Sequence, residues 1–559
     1  MEYDLIVRNG RIIDGTGSPE VRGDVAVVGD RIVEVGDVDG AGRKEIDADG
    51  LVVAPGFVDG HTHMDAQVFW DSLGSSACYQ GITTVVMGNC GYTLAPARAG
   101  DHAMIAANIE RAEDISAAAL AQGVPWTWTT FPEYLDRMDA LSKGMNHAVS
   151  IGHSALRIWA MGERAYDGPA TEDDLMVMER ELRGALRAGA MGFTTQRAKT
   201  HTTSDDRPVA SRMASWDEVV RLVSLVAKES TGGFQPGGYE AGFDTPKHLE
   251  RMKELAVSTG APILANVHDP SLAGILDEAA ARGGRMYGMT TSRDFNILQS
   301  FETKTSFDTL GGEWAAVRSR PLEEQRTLLQ DPEVRARLVH LAHHGEYKPV
   351  EPADPFKPNF DEIYIQYSPY LPNPTVAEEA VRRGIDPVEV MIDVAIENDF
   401  KIFFVQLLSK PRSESGLAEL LRNPNMALTF SDAGAHVTQV ADAIQTYLLA
   451  YLVRERQVLS LEEAVHMITD KPARFWRLHD RGRLARGFGA DITIFDPATI
   501  APLRPEVVHD LPGGGPRLEH RAAGFVATIV NGQVFTQDGQ ATEARSGRLL
   551  RAGQIPVPH

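Results

Sequence analysis

The sequence predicts an α/β protein whose centre is an eight-fold (β/α)8 TIM barrel. Between about residues 55 and 485, short apolar runs typical of strands alternate with stretches typical of helices. Alternation of this kind predicts a parallel sheet, and its length and number of runs favour closure into the barrel. Both ends of the chain are instead rich in short strands, which predicts a second, smaller all-β unit.

The terminal unit is predicted from turn signals near both ends of the chain. Gly29-Asp30 and Asn531-Gly532 each lie between two β-rich runs and suit tight two-residue hairpins. Neither end is long enough to bury a core alone. We therefore predict one small β-sandwich built from residues 1–54 and residues 485–559, the latter including a C-terminal tail.

The predicted barrel spans residues 55–484. Its strands are expected in the apolar runs at 51–58, 82–87, 147–151, 192–195, 262–267 and 426–430, with helices over 104–122 and 175–188. Residues 300–375 break the alternation with a charged helical stretch at 322–343 and a proline-rich stretch at 348–374. We expect this segment to be an insertion over one end of the barrel and a candidate lid.

Composition excludes several classes of protein. The 559 residues include 55 Lys and Arg against 77 Asp and Glu, a formal charge of −22, whereas nucleic-acid binding needs a basic face. No apolar run approaches the roughly 20 residues of a membrane span, and the N-terminus lacks a secretory pattern. Cys78 and Cys90 are then expected to be free thiols or ligands rather than a disulfide. We expect a cytoplasmic protein with a small-molecule partner, no nucleic acid and no membrane span.

The sharpest motif is a strand that ends in His-x-His. Pro55 to Val58 is apolar and leads into His61 and His63, with Asp65 two residues further on. Alternate side chains of an extended strand face the same side, so both imidazoles are expected at the carboxyl end of the strand, where barrel active sites lie. Two such imidazoles supply two of the four ligands of a catalytic zinc. The alternative is a pair of structural histidines.

Two further strands end in a side chain that suits a metal. Residues 82–87 lead to Cys90, and residues 426–430 lead to Asp432. A thiolate can ligate metal ions, and a carboxylate can hold a metal and accept a proton from water. The alternatives are a buried apolar cysteine and an N-cap for a helix near Val440.

Seven stretches spread along nearly the whole chain carry a family resemblance: DLIVRNGRIIDGTG (4–17), PGFVDGHTHMD (55–65), GITTVVMGNCG (81–91), GHSALR (152–157), FSDAGAH (430–436), DKPARFWRLHDRGRLARGFGADITIFD (470–496) and TIVNGQVF (528–535). With them the chain resembles the amidohydrolase superfamily and, within it, the N-acyl-D-amino-acid deacylase (D-aminoacylase) branch, in which Gly-Asn-Cys-Gly follows the second strand. The resemblance implies a metal-dependent (β/α)8 barrel with a small β-sandwich from both termini.

The resemblance also implies a chemistry, amide hydrolysis by metal-activated water. By position, His61 and His63 match the first-strand metal ligands and Cys90 matches the metal-ligating cysteine of the branch. Asp432 matches the last-strand aspartate, which is both ligand and general base. The implied cofactor is Zn²⁺, one or two ions per chain.

Two strand ends depart from the D-aminoacylase pattern. The family has a histidine on the fifth strand, whereas residues 232–239 contain none. On the sixth strand Val267 falls at the ligand position and His268 one place later, and a one-residue slip points a side chain to the other face. We therefore favour one zinc ion held by His61, His63 and Asp432, with Cys90 nearby. A local shift that makes His268 a ligand of a second ion is the alternative.

The substrate-binding residues depart as well. The lysine and arginine that meet the substrate carboxylate in D-aminoacylases are replaced by Asp269 and by residues 435–437. The remaining candidates for substrate contact, each with a solvated or structural alternative, are His153, His201, Arg212 and Gln235.

The predicted function is metal-dependent hydrolysis of an acyclic amide bond, with N-acyl amino acids or related N-acyl amines as substrates. Loss of the carboxylate-binding pair favours a first alternative, a cyclic amide or imide hydrolase on the same site. The missing fifth-strand histidine favours a second, a non-catalytic binding protein on a degenerate barrel. Members of the family are often oligomers, and the charge is compatible with a homo-oligomer.

Overall fold

A closed ring of eight short parallel strands lies at the centre of the structure. The computed structural model describes residues 2–111, 114–229, 232–238, 243–347, 356–370, 372–408, 411–434, 436–438 and 443–558. The ring strands are β1 (Phe57–Asp59), β2 (Ile82–Met87), β3 (Asn146–Val149, continued by Ile151–Gly152), β4 (Gly192–Thr195), β5 (Gly233–Pro236), β6 (Ile263–Asn266), β7 (Met286–Thr290) and β8 (Met426–Leu428).

Neighbouring ring strands pair in parallel from β1 round to β8. The ring closes where Thr62–His63, just after β1, pairs with Ala433–Gly434, just after β8. The ring strands are almost wholly buried, because helices cover the outside and side chains fill the inside. Burial on both faces explains why these strands read as continuous apolar runs rather than as alternating ones.

The first predicted strand, over 51–58, divides in the structure. Val52–Pro55 joins the terminal sheet and Phe57–Asp59 joins the barrel. Gly56 lies between them, and a Cβ atom there would come within 2.2 Å of the Thr83 side chain. Only glycine permits this close passage, so the chain changes sheets at Gly56.

Most helices pack around the ring, and the others belong to the insertion. The helices are α1 (His102–Glu110), α2 (Ala117–Gly123), α3 (Phe131–Asp139), α4 (His153–Met161), α5 (Glu172–Ala188), α6 (Trp216–Glu229), α7 (Thr245–Thr259), α8 (Gly274–Ala281), α9 (Gly312–Arg318), α10 (Leu322–Gln330), α11 (Pro332–His344), α12 (Val376–Arg383), α13 (Pro387–Glu397), α14 (Glu414–Arg422), α15 (Ile444–Tyr447), α16 (Leu461–Ile468) and α17 (Asp470–Phe475); α9–α13 are those of the insertion. A π-helical segment, Leu448–Glu455, continues α15. Short 3-10 helices occupy Gln67–Phe69, Ala77–Gln80, Gly162–Tyr166, Ala210–Met213, Pro270–Leu272 and Ser306–Leu310.

Local sequence sets the helix ends. A capping box between Thr171 and Asp174 starts α5, and Gly189 ends it in the left-handed conformation. The helix predicted over 322–343 is two helices, α10 and α11, because Asp331 caps the second one and Pro332 begins it. The stretch predicted as a helix over 104–122 is likewise two helices, α1 and α2. The helix start expected near Val440 lies outside the described residues.

The terminal sheet combines strands from both ends of the chain, as predicted. Its nine strands are Tyr3–Ile12, Val21–Val28, Arg31–Gly36, Gly42–Asp47, Val52–Pro55, Ile492–Phe495, Phe525–Val530, Gln533–Gln537 and Gln540–Ala541. Ile492–Phe495 pairs antiparallel with Val52–Pro55 and joins the two ends. Asn531 and Gly532 both have positive φ, 45° and 82°, which is the geometry of the predicted tight hairpin.

The C-terminal segments reach beyond this sheet. Leu549–Leu550 pairs in parallel with β3 and so extends the barrel wall. Two small pairs, Ala501–Pro502 with Ala522–Ala523 and Glu506–Val508 with Arg517–Glu519, lie between the sheet strands in sequence. The tail is therefore part of the barrel as well as of the terminal unit.

The insertion is longer than the 300–375 segment predicted. A three-stranded antiparallel sheet, Asn296–Gln299, Ile363–Ile365 and Phe404–Leu407, brackets it, and helices α9–α13 pack on an apolar core of its own. Within that core the rings of Phe307 and Trp314 stack with centroids 4.3 Å apart. Part of the predicted proline-rich stretch, residues 348–355 and 371, lies outside the described residues. Across the described ranges, no helix combines the length and apolar character needed to cross a membrane.

Candidate metal centre

Four side chains from three strand ends meet at the carboxyl end of the barrel. The Nε2 atoms of His61 and His63 lie 3.2 Å apart, and the Cys90 Sγ lies 3.6 Å from His61 Nε2. Asp432 Oδ1 lies 3.3 Å from His61 Nε2 and 2.9 Å from His63 Nε2. Two ring nitrogens, a thiol sulfur and a carboxylate oxygen thus converge on one small volume, which we call the four-residue cluster.

The backbone at the strand ends aims these side chains inward. Cys90 and Asp432 both have left-handed φ values, 52° and 58°, which are uncommon for residues other than glycine. The Asp432 backbone N–H donates to the His61 carbonyl across the closure of the ring, at 3.0 Å. The strained turns therefore hold a thiol and a carboxylate against the His-x-His pair, and strain of this kind gathers at functional sites.

The electrostatics of the cluster suit a cation. Burial lowers the pKa of His63 to about 4, although the Asp432 carboxylate opposes this shift. Burial alone would raise the pKa of Asp432, but hydrogen bonds from His61 and His63 outweigh it and hold that pKa well below its usual value. At neutral pH His63 is therefore a neutral imidazole and Asp432 is ionised, which are the forms that bind metal ions.

The donor set fits zinc. The ligand atoms of His61, His63 and Cys90 all lie within 4.8 Å of one another. Zinc accepts imidazole nitrogen, thiolate sulfur and carboxylate oxygen, in sites of four ligands. No local rearrangement of the chain is needed to bring three or four of these atoms around one ion.

Gln235, a predicted substrate-contacting residue, lies against this cluster instead. It is on β5 and is buried. Its Nε2 is 2.7 Å from His61 Nδ1 and 3.9 Å from Met289 Sδ, while its Oε1 is buried and has no hydrogen-bond partner within the described ranges. Gln235 thus occupies the fifth-strand position and contacts the ring nitrogen of His61 that points away from the other three residues.

His268 is near the four-residue cluster but does not join it. Its Nδ1 is 3.0 Å from Thr290 Oγ1, and its ring packs edge-on against Phe430, with centroids 5.6 Å apart. Phe430 in turn packs on the His61 ring at 4.0 Å. Burial, together with the charge of Arg412, lowers the pKa of His268 to about 3. With the one-residue shift of the histidine on the sixth strand, the Phe430 ring thus lies beside both His61 and His268.

His153 is held by protein groups on both ring nitrogens. Nδ1 is 2.9 Å from Thr195 Oγ1, and Nε2 is 2.8 Å from Glu218 Oε1. Arg157 binds both oxygens of Glu218 at 2.6 Å. Because these contacts occupy both nitrogens, the predicted substrate contact through His153 does not fit the structure. The residue is part of a buried network that ties α4 to α6.

His201 and Arg212 come together beside the cluster. Arg212 Nη1 donates to the His201 carbonyl at 2.7 Å, and His201 Nε2 lies 3.0 Å from the Gln196 amide. Burial lowers the pKa of His201 to about 4, against the opposing charge of Asp432. The Tyr92 ring stacks on His201 with centroids 6.3 Å apart. This group therefore borders the cluster on the side of the 196–215 loop.

Three residues that sequence reasoning did not assign to the site hold groups next to it. His436 Nε2 is 2.8 Å from the Asp432 carbonyl. Asp65 accepts from the Gly88 N–H at 3.1 Å, and burial raises its pKa to about 7. Arg412 donates to Thr290 Oγ1 at 3.1 Å and thereby supports His268. Asp65 could have been assigned from its place in the His-x-His motif, whereas nothing in the sequence relates Arg412 to Thr290.

A cavity of about 490 Å³ has Val437, which follows His436, in its wall. The insertion contributes Glu302 and Lys304, and the C-terminal segment contributes Leu511. Lys304 pairs with Asp114, which also accepts from the Val437 N–H at 3.2 Å. The insertion, which the sequence suggested as a candidate lid, thus contributes to the wall of this cavity.

Comparisons with known proteins agree with this geometry. A model of the amidohydrolase family matches residues 44–536. An N-acyl-D-glutamate deacylase and a D-aminoacylase, both from Alcaligenes xylosoxydans xylosoxydans, are 28% and 27% identical to this chain, each over 98% of this chain and 97% of the relative. A solved D-aminoacylase structure has a TM-score of 0.65 at 22% identity and covers 98% of this chain and 100% of its own.

A second solved structure, the N-acyl-D-glutamate deacylase of Bordetella bronchiseptica complexed with zinc and a phosphonate inhibitor, has a TM-score of 0.64. It is 23% identical and covers 99% of this chain and 100% of its own. The predicted fold class and the resemblance to the deacylase branch are confirmed. Since the family model matches most of its length, the chain belongs to the amidohydrolase family.

Proposed function

We propose that the protein is a zinc-dependent hydrolase that cleaves a linear amide bond, with N-acyl amino acids or related N-acyl amines as substrates. The observation that carries this proposal is the convergence of His61, His63, Cys90 and Asp432 within hydrogen-bond or ligand distance of one another. A purely structural chain has no need for a thiol, a carboxylate and two imidazoles at one strand-end site. The deacylase relatives support the same chemistry.

The proposed ligands are the Nε2 atoms of His61 and His63, the Cys90 sulfur and an oxygen of Asp432. When bound there, zinc supplies Lewis-acid chemistry that makes water acidic enough to lose a proton near neutral pH. His63 is neutral at that pH because burial lowers its pKa to about 4. His63 can therefore bind zinc at neutral pH without first losing a proton.

Asp432 is the proposed general base. Its carboxylate lies at the end of β8, with 14% of the side chain exposed, so it reaches both the cluster and the space above it. It would accept the proton of the attacking water and later deliver that proton to the nitrogen of the leaving amine. The two histidines that contact its Oδ1 hold the carboxylate in position for both transfers.

We propose one zinc ion per chain. The fifth-strand position holds Gln235, whose amide is a poor zinc ligand. The ring of Phe430 packs on both His61 and His268, so His268 faces an aromatic ring where a second ion would need a donor. A zinc content near one equivalent would support this count, and a content near two would refute it.

Two cations of this end of the barrel, Arg412 and Lys304, are already paired with carboxylates. Arg412 binds Asp294 at 3.0 Å, and Lys304 pairs with Asp114. The pair that meets a substrate carboxylate in D-aminoacylases therefore has no evident counterpart in these two residues. This favours simple N-acyl amines alongside N-acyl amino acids, and it keeps a cyclic amide or imide as the second candidate substrate.

The test combines metal analysis with a substrate panel. Purified protein should contain about one zinc per chain and lose turnover with a chelator, and zinc should restore it. N-acyl-D- and N-acyl-L-amino acids, N-acyl amines and cyclic imides would be assayed in parallel for free amine or ring opening. The control variant is His343→Asn, since His343 pairs with Asp386 on the surface of the insertion.

Each outcome decides between the candidates. Release of free amine supports the linear amide hydrolase, and ring opening alone supports the cyclic alternative. A protein that takes up no zinc and turns over none of the panel would be the predicted non-catalytic binding protein. The cytoplasmic location and the homo-oligomer stay predictions.

A further inference from the structure

Gln235 contacts the one ring nitrogen of His61 that does not face the other three residues of the cluster. His61 Nε2 faces His63, Cys90 and Asp432, while Nδ1 faces the Gln235 amide at 2.7 Å. Both residues are fully buried, so water does not compete for Nδ1. The amide of Gln235 is therefore the group that decides which nitrogen of His61 carries the proton.

The two ends of the amide favour opposite forms of the ring. With its N–H₂ toward Nδ1, Gln235 donates, so the proton of a neutral His61 lies on Nε2 and can be donated to Asp432 Oδ1 at 3.3 Å. With its oxygen toward Nδ1, Gln235 accepts, the proton lies on Nδ1, and the Nε2 lone pair is free for a metal. Histidines that bind metals generally donate their other N–H in this way to an oxygen.

The surroundings allow the amide to present either end. Among the residues that the structure describes, its oxygen is buried without a hydrogen-bond partner, and its nitrogen contacts the distant Met289 sulfur besides Nδ1. The oxygen and nitrogen of an amide are nearly equal in size. Neither orientation therefore breaks a second strong hydrogen bond of Gln235.

On the basis of the zinc site proposed above, we propose that Gln235 is a positioning residue whose amide oxygen accepts from His61 Nδ1 in the metal-bound protein and so fixes His61 as an Nε2 ligand. The fifth-strand position then acts on the metal through His61 rather than as a ligand. The neutral His61 ring gains and loses no proton overall: its single N–H proton lies on Nδ1 instead of Nε2.

The test compares two substitutions at this position by zinc affinity. Gln235→Met keeps the size of the side chain but cannot accept, so zinc affinity in chelator competition should fall by about 10–100-fold, as for other losses of such a partner. Gln235→Glu accepts at both oxygens and should bind zinc at least as tightly as the wild type. Gln445→Met removes another buried glutamine and is the matched control, with unchanged affinity.

A spectroscopic readout separates positioning from direct ligation. The absorption spectrum of the Co²⁺-substituted Gln235→Met variant at saturation should match that of the wild type, because the ligand set is unchanged. An altered spectrum would mean that Gln235 is itself a ligand and would overturn the proposal. Wild-type zinc affinity in Gln235→Met with a raised KM would also overturn it, since the residue would then act on substrate.

The remaining outcomes are also decisive. If Gln235→Met does not fold, Gln235→Glu carries the test, and a tenfold loss of zinc affinity in that variant would refute the accepting role. If the wild-type protein binds no zinc, the proposed function fails and this inference fails with it. Zinc bound equally by wild type and Gln235→Met refutes this inference alone.

Discussion

Replacing Asp432 by asparagine tests the core of the proposed chemistry. The amide has the size of the carboxylate but neither its charge nor its basicity, so Asp432→Asn is expected to keep the fold and lose turnover. The Oδ1 atom that contacts His63 at 2.9 Å and His61 at 3.3 Å would become a weak acceptor or an N–H donor. No proton could then be accepted at this position.

The expected fall in kcat depends on whether another carboxyl group near the site can replace Asp432 as the base. Glu218 is bound to Arg157 and His153, and Asp65 accepts from the Gly88 backbone, so neither carboxyl can readily replace Asp432 as the base. A positioned acid–base group contributes about 10²–10⁴-fold to a rate, which corresponds to roughly 3–5 kcal/mol in the activation free energy. We expect kcat to fall by that factor.

The assay must separate chemistry from metal loss, because Asp432 is also a proposed ligand. Release of free amine would be followed at saturating zinc, with zinc content measured on the same sample and folding checked by circular dichroism. Asp386→Asn, which changes a half-buried carboxylate that pairs with His343 and keeps an N-cap side chain on α13, is the control. A fully zinc-loaded Asp432→Asn variant with a kcat within threefold of the wild type would remove Asp432 as the base.

Three further predictions concern the cluster and its support. Cys90→Ser exchanges a thiolate for a hydroxyl, so zinc affinity in chelator competition should fall while the melting temperature of the metal-free protein changes little; unchanged affinity would exclude the sulfur as a ligand. His63 and His147 each have a pKa lowered by burial to about 4, so they protonate first in the unfolded chain. The free energy of unfolding should therefore fall as the pH drops from about 6.5 towards 4, by up to about 1.4 kcal/mol per pH unit for each, and urea titrations that show no such slope would contradict it. Arg157→Leu leaves the carboxylate of Glu218 buried without the Arg157 Nη1 group that contacts both of its oxygens. The free energy of unfolding should fall by about 3–5 kcal/mol, measured by thermal denaturation; a loss below about 1 kcal/mol would mean that His153 alone suffices.

Most of the barrel could be predicted because its strands are buried on both faces. Runs such as Ile82–Met87 and Gly192–Thr195 can be recognised without knowing which strands pair with them, since every position is apolar or small. The four-residue cluster could be predicted for a related reason: each member directly follows such a run. Because each strand and its proposed ligand are adjacent in sequence, one short stretch of sequence predicts both of them.

What could not be predicted depends on contacts between distant segments. Gln235 reaches His61 across 174 positions of sequence, and a lone glutamine within a strand gives no sign of that partner. His153 also follows a strand, yet Glu218, 65 positions away, binds its ring. The insertion ends at Leu407 rather than near 375 because its third strand, Phe404–Leu407, returns to pair with Asn296–Gln299.

The ring is closed by hydrogen bonds between the segments that follow its first and last strands, Thr62–His63 and Ala433–Gly434. His63 lies in the first segment and Asp432 directly precedes the second, so an ion held by both side chains would cross-link the two edges of the cylinder at its seam. Opening the seam would then require releasing the ion first. Loaded protein should therefore exchange the amide hydrogens of these four residues more slowly than stripped protein, and the slowing should fade with distance from the seam.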